Sequence, residues 1–139
     1  MTEEDGLIEA YRQTHFCADT PHGPIVIHVG QTCPALDALL VELECTSWAY
    51  ITAFNPRSFP LSEAENEAHQ HELEETVRQL GHVMFQGKGI SHDGAWPPEP
   101  SILVLGMHRA AAVALGLRFG QRAIVCGESG VPAVLVVCE

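Results

Sequence analysis

The stretch Trp48–Asn66, WAYITAFNPRSFPLSEAEN, decides the fold class of this chain. Trp48 to Phe54 is an almost unbroken apolar run, the signature of a central strand covered on both faces. The run stops abruptly in Thr52, Asn55, Pro56, Arg57 and Ser58. Asn55 precedes a proline, which pushes its backbone into an extended or turn conformation. Ser62 and Glu65 then form a capping-box pattern, so a helix starts there. The segment therefore reads strand, polar turn, helix. In sheets with helices packed against them, ligands collect beyond the carboxyl ends of strands. The polar turn is accordingly the first place to look for a site.

Working outward, the helix after Ser62 carries Leu73, Val77 and Leu80, and Gly81 suits its stop. Pro34 fits the first turn of a helix running to about Glu44, with Leu36, Leu39, Leu40 and Leu43 at helical spacing. Leu7, Ile8 and Tyr11 predict a short N-terminal helix over Glu3 to Gln13. Strands are predicted at His15 to Ala18 and Ile25 to Val29, around a Pro-His-Gly-Pro turn. His82 to Phe85 reads as a strand, Gly87 to Pro100 as a loop, and Ile102 to Leu105 as a second buried strand. His108 to Phe119 is an alanine-rich helix closed by Gly120. Ala123 to Cys126 and Ala133 to Val137 pair around Glu128-Ser129-Gly130. The order α-β-β-α-β-α-β-β-α-β-β contains two strand–helix–strand crossings, which predict some parallel pairing. The expected fold is α/β or α+β: a single domain over residues 1–139, with a mixed six- to seven-stranded sheet packed by three to four helices.

With 139 residues the chain is large enough to bury a core. Its apolar runs fall far short of a membrane span, and MTEEDG lacks the basic-then-apolar layout of a secretion signal. A cytoplasmic location away from membranes is the default expectation. The net charge of −11 is lopsided: residues 1–80 hold 14 acidic and 3 basic side chains, residues 81–139 hold 4 and 4. Such an acidic shell repels phosphate backbones and argues against non-specific nucleic-acid binding. The five cysteines are odd in number and lack a CxxC pair, so reduced thiols are expected, buried where Cys17, Cys126 and Cys138 fall in apolar runs.

Several side chains qualify as candidates. Arg57 offers a planar fork suited to carboxylate or phosphate, and Thr52, Asn55 and Ser58 add polar groups around it. Against this stands a turn that satisfies its own backbone groups, with Arg57 paired to a surface acid. Glu99 sits between Pro98 and Pro100, a stiff placement for a general base or a partner to Arg57. Ser101 follows it, and Gln121 lies at a helix-to-strand joint where it can hydrogen-bond across the sheet end. Glu67, His71 and Glu75 share one helix face, but they read as a solvated charged face, and no metal or cofactor is expected. Gln86-Gly87-Lys88-Gly89 lacks the spacing of a phosphate loop and reads as a flexible turn. His28 and His82 fall in or beside strands and read as ordinary packed or half-exposed residues.

The ITAFNPRS run, Ser62, Asn66 and Leu73, the Glu99-Pro100-Ser101 run and FGQRAIVCG together resemble the uncharacterised bacterial domain-of-unknown-function family numbered 3293, from about Ala10 to Val136. The resemblance implies a small stand-alone bacterial protein and brings no catalytic residues with it. It marks Thr52, Asn55, Pro56, Asn66, Glu99, Ser101 and Gln121 as pattern positions. Phe54 stands where tryptophan is expected in many members, and Cys126 where another aromatic is expected; both look like packing changes.

Three functions are compatible with these residues. One is a binding module for a small anionic ligand, a nucleotide or metabolite, held by Thr52, Asn55, Arg57, Ser58, Asn66, Ser101 and Gln121. Another is a hydrolase or transferase with Glu99 as acid/base and Arg57 as electrostatic stabiliser. The third is an interaction protein whose acidic helix meets a basic protein partner.

Overall fold

In the computed structural model, which describes residues 3–94 and 97–138, seven strands form one sheet in the order β2-β1-β4-β5-β3-β6-β7. The elements are α1 (Glu3–Arg12), β1 (Thr14–Thr20), β2 (Gly23–Ile27), α2 (Pro34–Glu42), β3 (Ser47–Ile51), α3 (Glu63–Gln79), β4 (Val83–Ser91), β5 (Glu99–Leu105), α4 (Arg109–Arg118), β6 (Ala123–Glu128) and β7 (Val134–Val137). This is the order expected from the sequence, with a 3-10 turn over Pro56–Ser58 added between β3 and α3. No helix among the described residues is long and apolar enough to cross a membrane.

Every ladder in the sheet is antiparallel, which corrects the expected mixture. The two strand–helix–strand crossings each skip a neighbour. β5 lies between β3 and β4, and β3 lies between β5 and β6. The strands joined by α3 and by α4 run the same way but never touch. The segment β3-α3-β4-β5-α4-β6 is thus a split β-α-β pair, the ferredoxin-like arrangement. The β1–β2 hairpin extends one edge and β7 the other. A single parallel bridge between Val29 and Ala133 ties the two edges together at one corner, so the sheet curls.

The curl separates two cores. One face packs Leu36, Leu39 and Leu40 of α2, with Tyr11 of α1, against Phe16, Ile27, Trp48, Tyr50 and Leu103. The other packs Leu73 and Val77 of α3, with Ala112 and Leu115 of α4, against Ile51, Ile102, Val104 and Ile124. β3 contributes to both cores and is buried at every position, as its continuous apolar run requires. Leu73 and Val77 are fully buried; each contributes roughly 1.5–3 kcal/mol of burial. The α3 start is a complete capping box: Ser62 Oγ accepts from Glu65 N at 3.2 Å while the Glu65 side chain reaches back to Ser62 N.

A second correction concerns residues 87–100. β4 continues to Ser91, and the Gly87-Lys88-Gly89 segment is strand, paired with β1 on one side and β5 on the other. The composition misleads because Gly87 is a packing glycine. A Cβ there would lie 1.9 Å from the Cys17 carbonyl oxygen. That carbonyl accepts the Tyr50 hydroxyl at 2.6 Å. Glycine in a strand interior commonly marks such a close backbone approach.

Candidate functional site

The polar turn after β3 is a clamp. Asn55 sits in the left-handed region at φ 44°, and its side-chain oxygen accepts from Leu61 N at 3.1 Å and from Asn66 Nδ2 at 2.8 Å. Asn66 Oδ1 accepts from Asn55 N at 2.8 Å. Two side-chain amides therefore close the 55–61 loop onto the first turn of α3. Asn66 is buried because it occupies the inward stripe of that helix with Gln70, Leu73 and Val77.

The second motif docks on the first. Arg57 N donates to the Gly120 carbonyl, and Gln121 Nε2 donates to the carbonyls of Phe54 at 3.1 Å and Phe119 at 3.3 Å. Gly120 has φ 71°, and a Cβ on it would meet Pro56 Cβ at 2.7 Å. The Asn-Pro-Arg turn and the Phe-Gly-Gln turn are thus two halves of one joint between β3, α3 and the end of α4. Thr52 Oγ1 donates to the Pro100 carbonyl at 2.7 Å, and Ser101 Oγ to the Glu99 carbonyl at 3.0 Å. Asn55, Asn66 and Gln121 spend hydrogen bonds on nearby backbone or on one another, whereas Thr52 and Ser101 donate to backbone carbonyls and also meet the Glu99 and Tyr50 side chains. The Arg57 side chain is exposed and has no ion pair among the described residues, whether with Glu99 or any other acid. Ser58 is the last residue of the 3-10 turn, which Phe59 N closes by donating to the Pro56 carbonyl at 3.0 Å; the Ser58 side chain lies outside the described residues, as does Trp96.

Glu99 is half-buried at the start of β5. It alternates with Leu103 and Leu105, which places it on the α1–α2 face with Tyr11 and Tyr50. Burial pushes its carboxyl up to about 7, opposed only in part by the Thr52 hydroxyl. That hydroxyl already donates to Pro100, so it is a weak counterweight. Burial also raises the phenols of Tyr11 and Tyr50, which stay neutral.

A hollow of ligand size, about 440 Å³, opens beside the clamp on the α3 face. Its lining includes Gln70 and Glu74 of α3, Asp19 of β1, Gln86 and Lys88 of β4, and Ser101 of β5. Gln70 links it to the motif. Its Oε1 accepts from Ala53 N at 2.8 Å, and that bond fixes which end of the amide is oxygen. The Nε2 end is buried and has no hydrogen-bond partner among the described residues. An orphaned buried donor costs about 1–3 kcal/mol. Gln86 Nε2 donates to Glu74 Oε1 at 2.7 Å on the rim. Lys88, the sole lysine of the chain, has no ion pair among the described residues.

Sequence reasoning passed over Gln70 as a site residue. The available signal was its spacing: 66, 70, 73 and 77 form one helical stripe, and two of its four members are polar. By contrast, Glu67, His71 and Glu75 lie exposed on the outer face of α3, and no group of three potential ligands among the described residues can hold a metal ion. All five cysteines are free thiols; Cys126 is buried, whereas Cys17 and Cys138 are half-buried.

The fold and the site together define an α+β protein with a split β-α-β core, clamped at its helix ends beside an open groove. Residues 51–124, most of that core, match the family described as protein of unknown function (DUF3293), and the chain belongs to that family. No curated protein and no solved structure matches the chain.

Proposed function

We propose that the protein is a binding module for a small anionic metabolite, and that the ligand lies in the groove between α3 and strands β1, β4 and β5. The donor end of the Gln70 amide, unpartnered among the described residues, carries this reading. A buried donor held in fixed orientation, with the Lys88 ammonium in the same lining, suits a carboxylate or phosphate oxygen. Asp19 and Glu74 face the same hollow, so the ligand also carries N–H or O–H groups, as a nucleotide base or an amino acid does. In this reading the Asn-Pro-Arg and Phe-Gly-Gln turns act indirectly, by holding Ala53 and α3 where Gln70 must be.

The test is thermal stabilisation by a panel of amino acids, dicarboxylates and nucleotides at millimolar levels. A ligand present at about 100 times its Kd stabilises by about 2.7 kcal/mol. Gln70→Glu keeps the acceptor for Ala53 N but puts a carboxylate oxygen where the amide donor was. It should retain the fold and lose the ligand response. A panel in which nothing raises Tm, or a Gln70→Glu variant that responds like wild type, sinks the proposal.

One observation favours a second reading, acid/base catalysis by Glu99: its carboxyl is pushed up to about 7. Hydrolase or transferase activity that is unchanged in Glu99→Gln would remove it.

A further inference from the structure

A second hollow, of about 360 Å³, lies at the other end of β1 and is lined by Arg12, Gln13, His15, His28 and His92. Three histidines meet there: His15 in β1, His28 just after the end of β2, and His92 just after the end of β4. His15 pairs across β1–β4 with Ile90, two residues before His92. Phe16 pairs with Ile27, so His15 and His28 stand opposite each other just beyond the β1–β2 ladder. His15 Nδ1 and His28 Nε2 share a hydrogen bond of 2.7 Å, with their rings nearly perpendicular. The His92 ring centroid is 5.9 Å from that of His15.

The charge of this lining is unusual for the chain. Residues 1–80 hold only 3 basic side chains against 14 acidic ones, yet Arg12 and three imidazoles share this hollow, with no carboxylate in its lining among the described residues. The nearby Glu9 carboxylate accepts from Gln13 Nε2 at 2.8 Å. Asp93 follows His92 in the turn, outside the lining.

We infer that this hollow is an oxyanion site, built for a phosphate or phosphate monoester, and distinct from the groove at Gln70. The His15–His28 bond orders its own donors. One ring nitrogen of each residue is committed to the other, leaving His15 Nε2 and His28 Nδ1 as the remaining ring nitrogens. The ring that accepts the shared proton carries its own N–H on the outer nitrogen. Adding one proton gives the other ring an outer N–H as well, without breaking the pair. The pair then presents two donors, and the Arg12 guanidinium brings a planar fork that matches phosphate oxygens. A metal is the competing occupant, because imidazole nitrogens also bind zinc, copper and nickel. Arg12 in the same lining opposes a cation.

The experiment is a titration of the whole chain with inorganic phosphate, followed through the histidine ring signals by NMR and by calorimetry. The expected result is a selective shift of His15, His28 and His92, with the exposed His71 and His108 unmoved. Arg12→Gln should weaken phosphate at least about tenfold, the loss expected for one charged hydrogen bond. His15→Gln should do likewise with the circular dichroism spectrum unchanged. Gln70→Glu should leave phosphate binding intact, which separates this site from the groove. The inference is overturned if no ring signal moves, if all histidines move together, or if Arg12→Gln binds phosphate like wild type. It is equally overturned if the pair takes up nickel or zinc ions while ignoring phosphate.

Discussion

Asn66→Ala tests whether the polar motif is a clamp. The substitution removes the acceptor of Asn55 N (2.8 Å) and the donors to Asn55 Oδ1 (2.8 Å) and Leu61 O (3.4 Å). The two short bonds are worth about 1 kcal/mol each. Asn55 N is also left without its partner at a half-buried position, adding about 1 kcal/mol or more. Without Asn66, the left-handed Asn55 loses a main reason to stay at φ 44°. The expected loss is about 2–4 kcal/mol, read as a lower midpoint in urea unfolding at unchanged slope. Asn66→Asp refines the test. It keeps an acceptor for Asn55 N but sets a second oxygen against Asn55 Oδ1. It should be destabilised at neutral pH and recover as acid protonates the new carboxyl, which can then donate. A loss below about 0.5 kcal/mol for Asn66→Ala, the range of an uninvolved surface change, would refute the clamp.

Gly120→Ala forces a side chain into φ 71° and against Pro56, and should cost about 2 kcal/mol or more by the same unfolding assay. Gly87→Ala meets the Cys17 carbonyl at 1.9 Å and should disrupt β1–β4 pairing, seen as lost amide protection in both strands under hydrogen exchange. Glu99 should make stability fall as pH rises. Its folded pKa of about 7 lies above its ordinary 4.5, so the native state holds the proton more tightly. That stabilisation is complete below about pH 4.5 and disappears as pH rises through about 7. Glu99→Gln should flatten this slope and be more stable than wild type near pH 8, by up to about 3 kcal/mol; an unchanged slope would contradict the assignment.

The sequence by itself determined the element order, because each element announces itself locally. Leu36, Leu39 and Leu40 repeat at helical spacing, Ser62 and Glu65 close a capping box, and Trp48 to Ile51 forms an unbroken buried strand. It failed where a residue's reason lies on a distant strand. Gly87 and Gly89 read as loop residues, yet Gly87 is required by the carbonyl of Cys17, 70 positions earlier in the chain. Strand neighbours were hidden for the same reason. The crossings through α3 and α4 permit parallel pairing, and only the insertion of β5 beside β3 makes the sheet antiparallel. The motif residues were legible as a group, but their role was not. Whether Asn55, Asn66 and Gln121 face a ligand or each other depends on three segments meeting in space. The same holds for the two hollows. Gln70 and Lys88, or His15 and His92, become neighbours only when helix α3 and strands β1, β2 and β4 are assembled, since side-chain chemistry is local to a residue and proximity belongs to the fold.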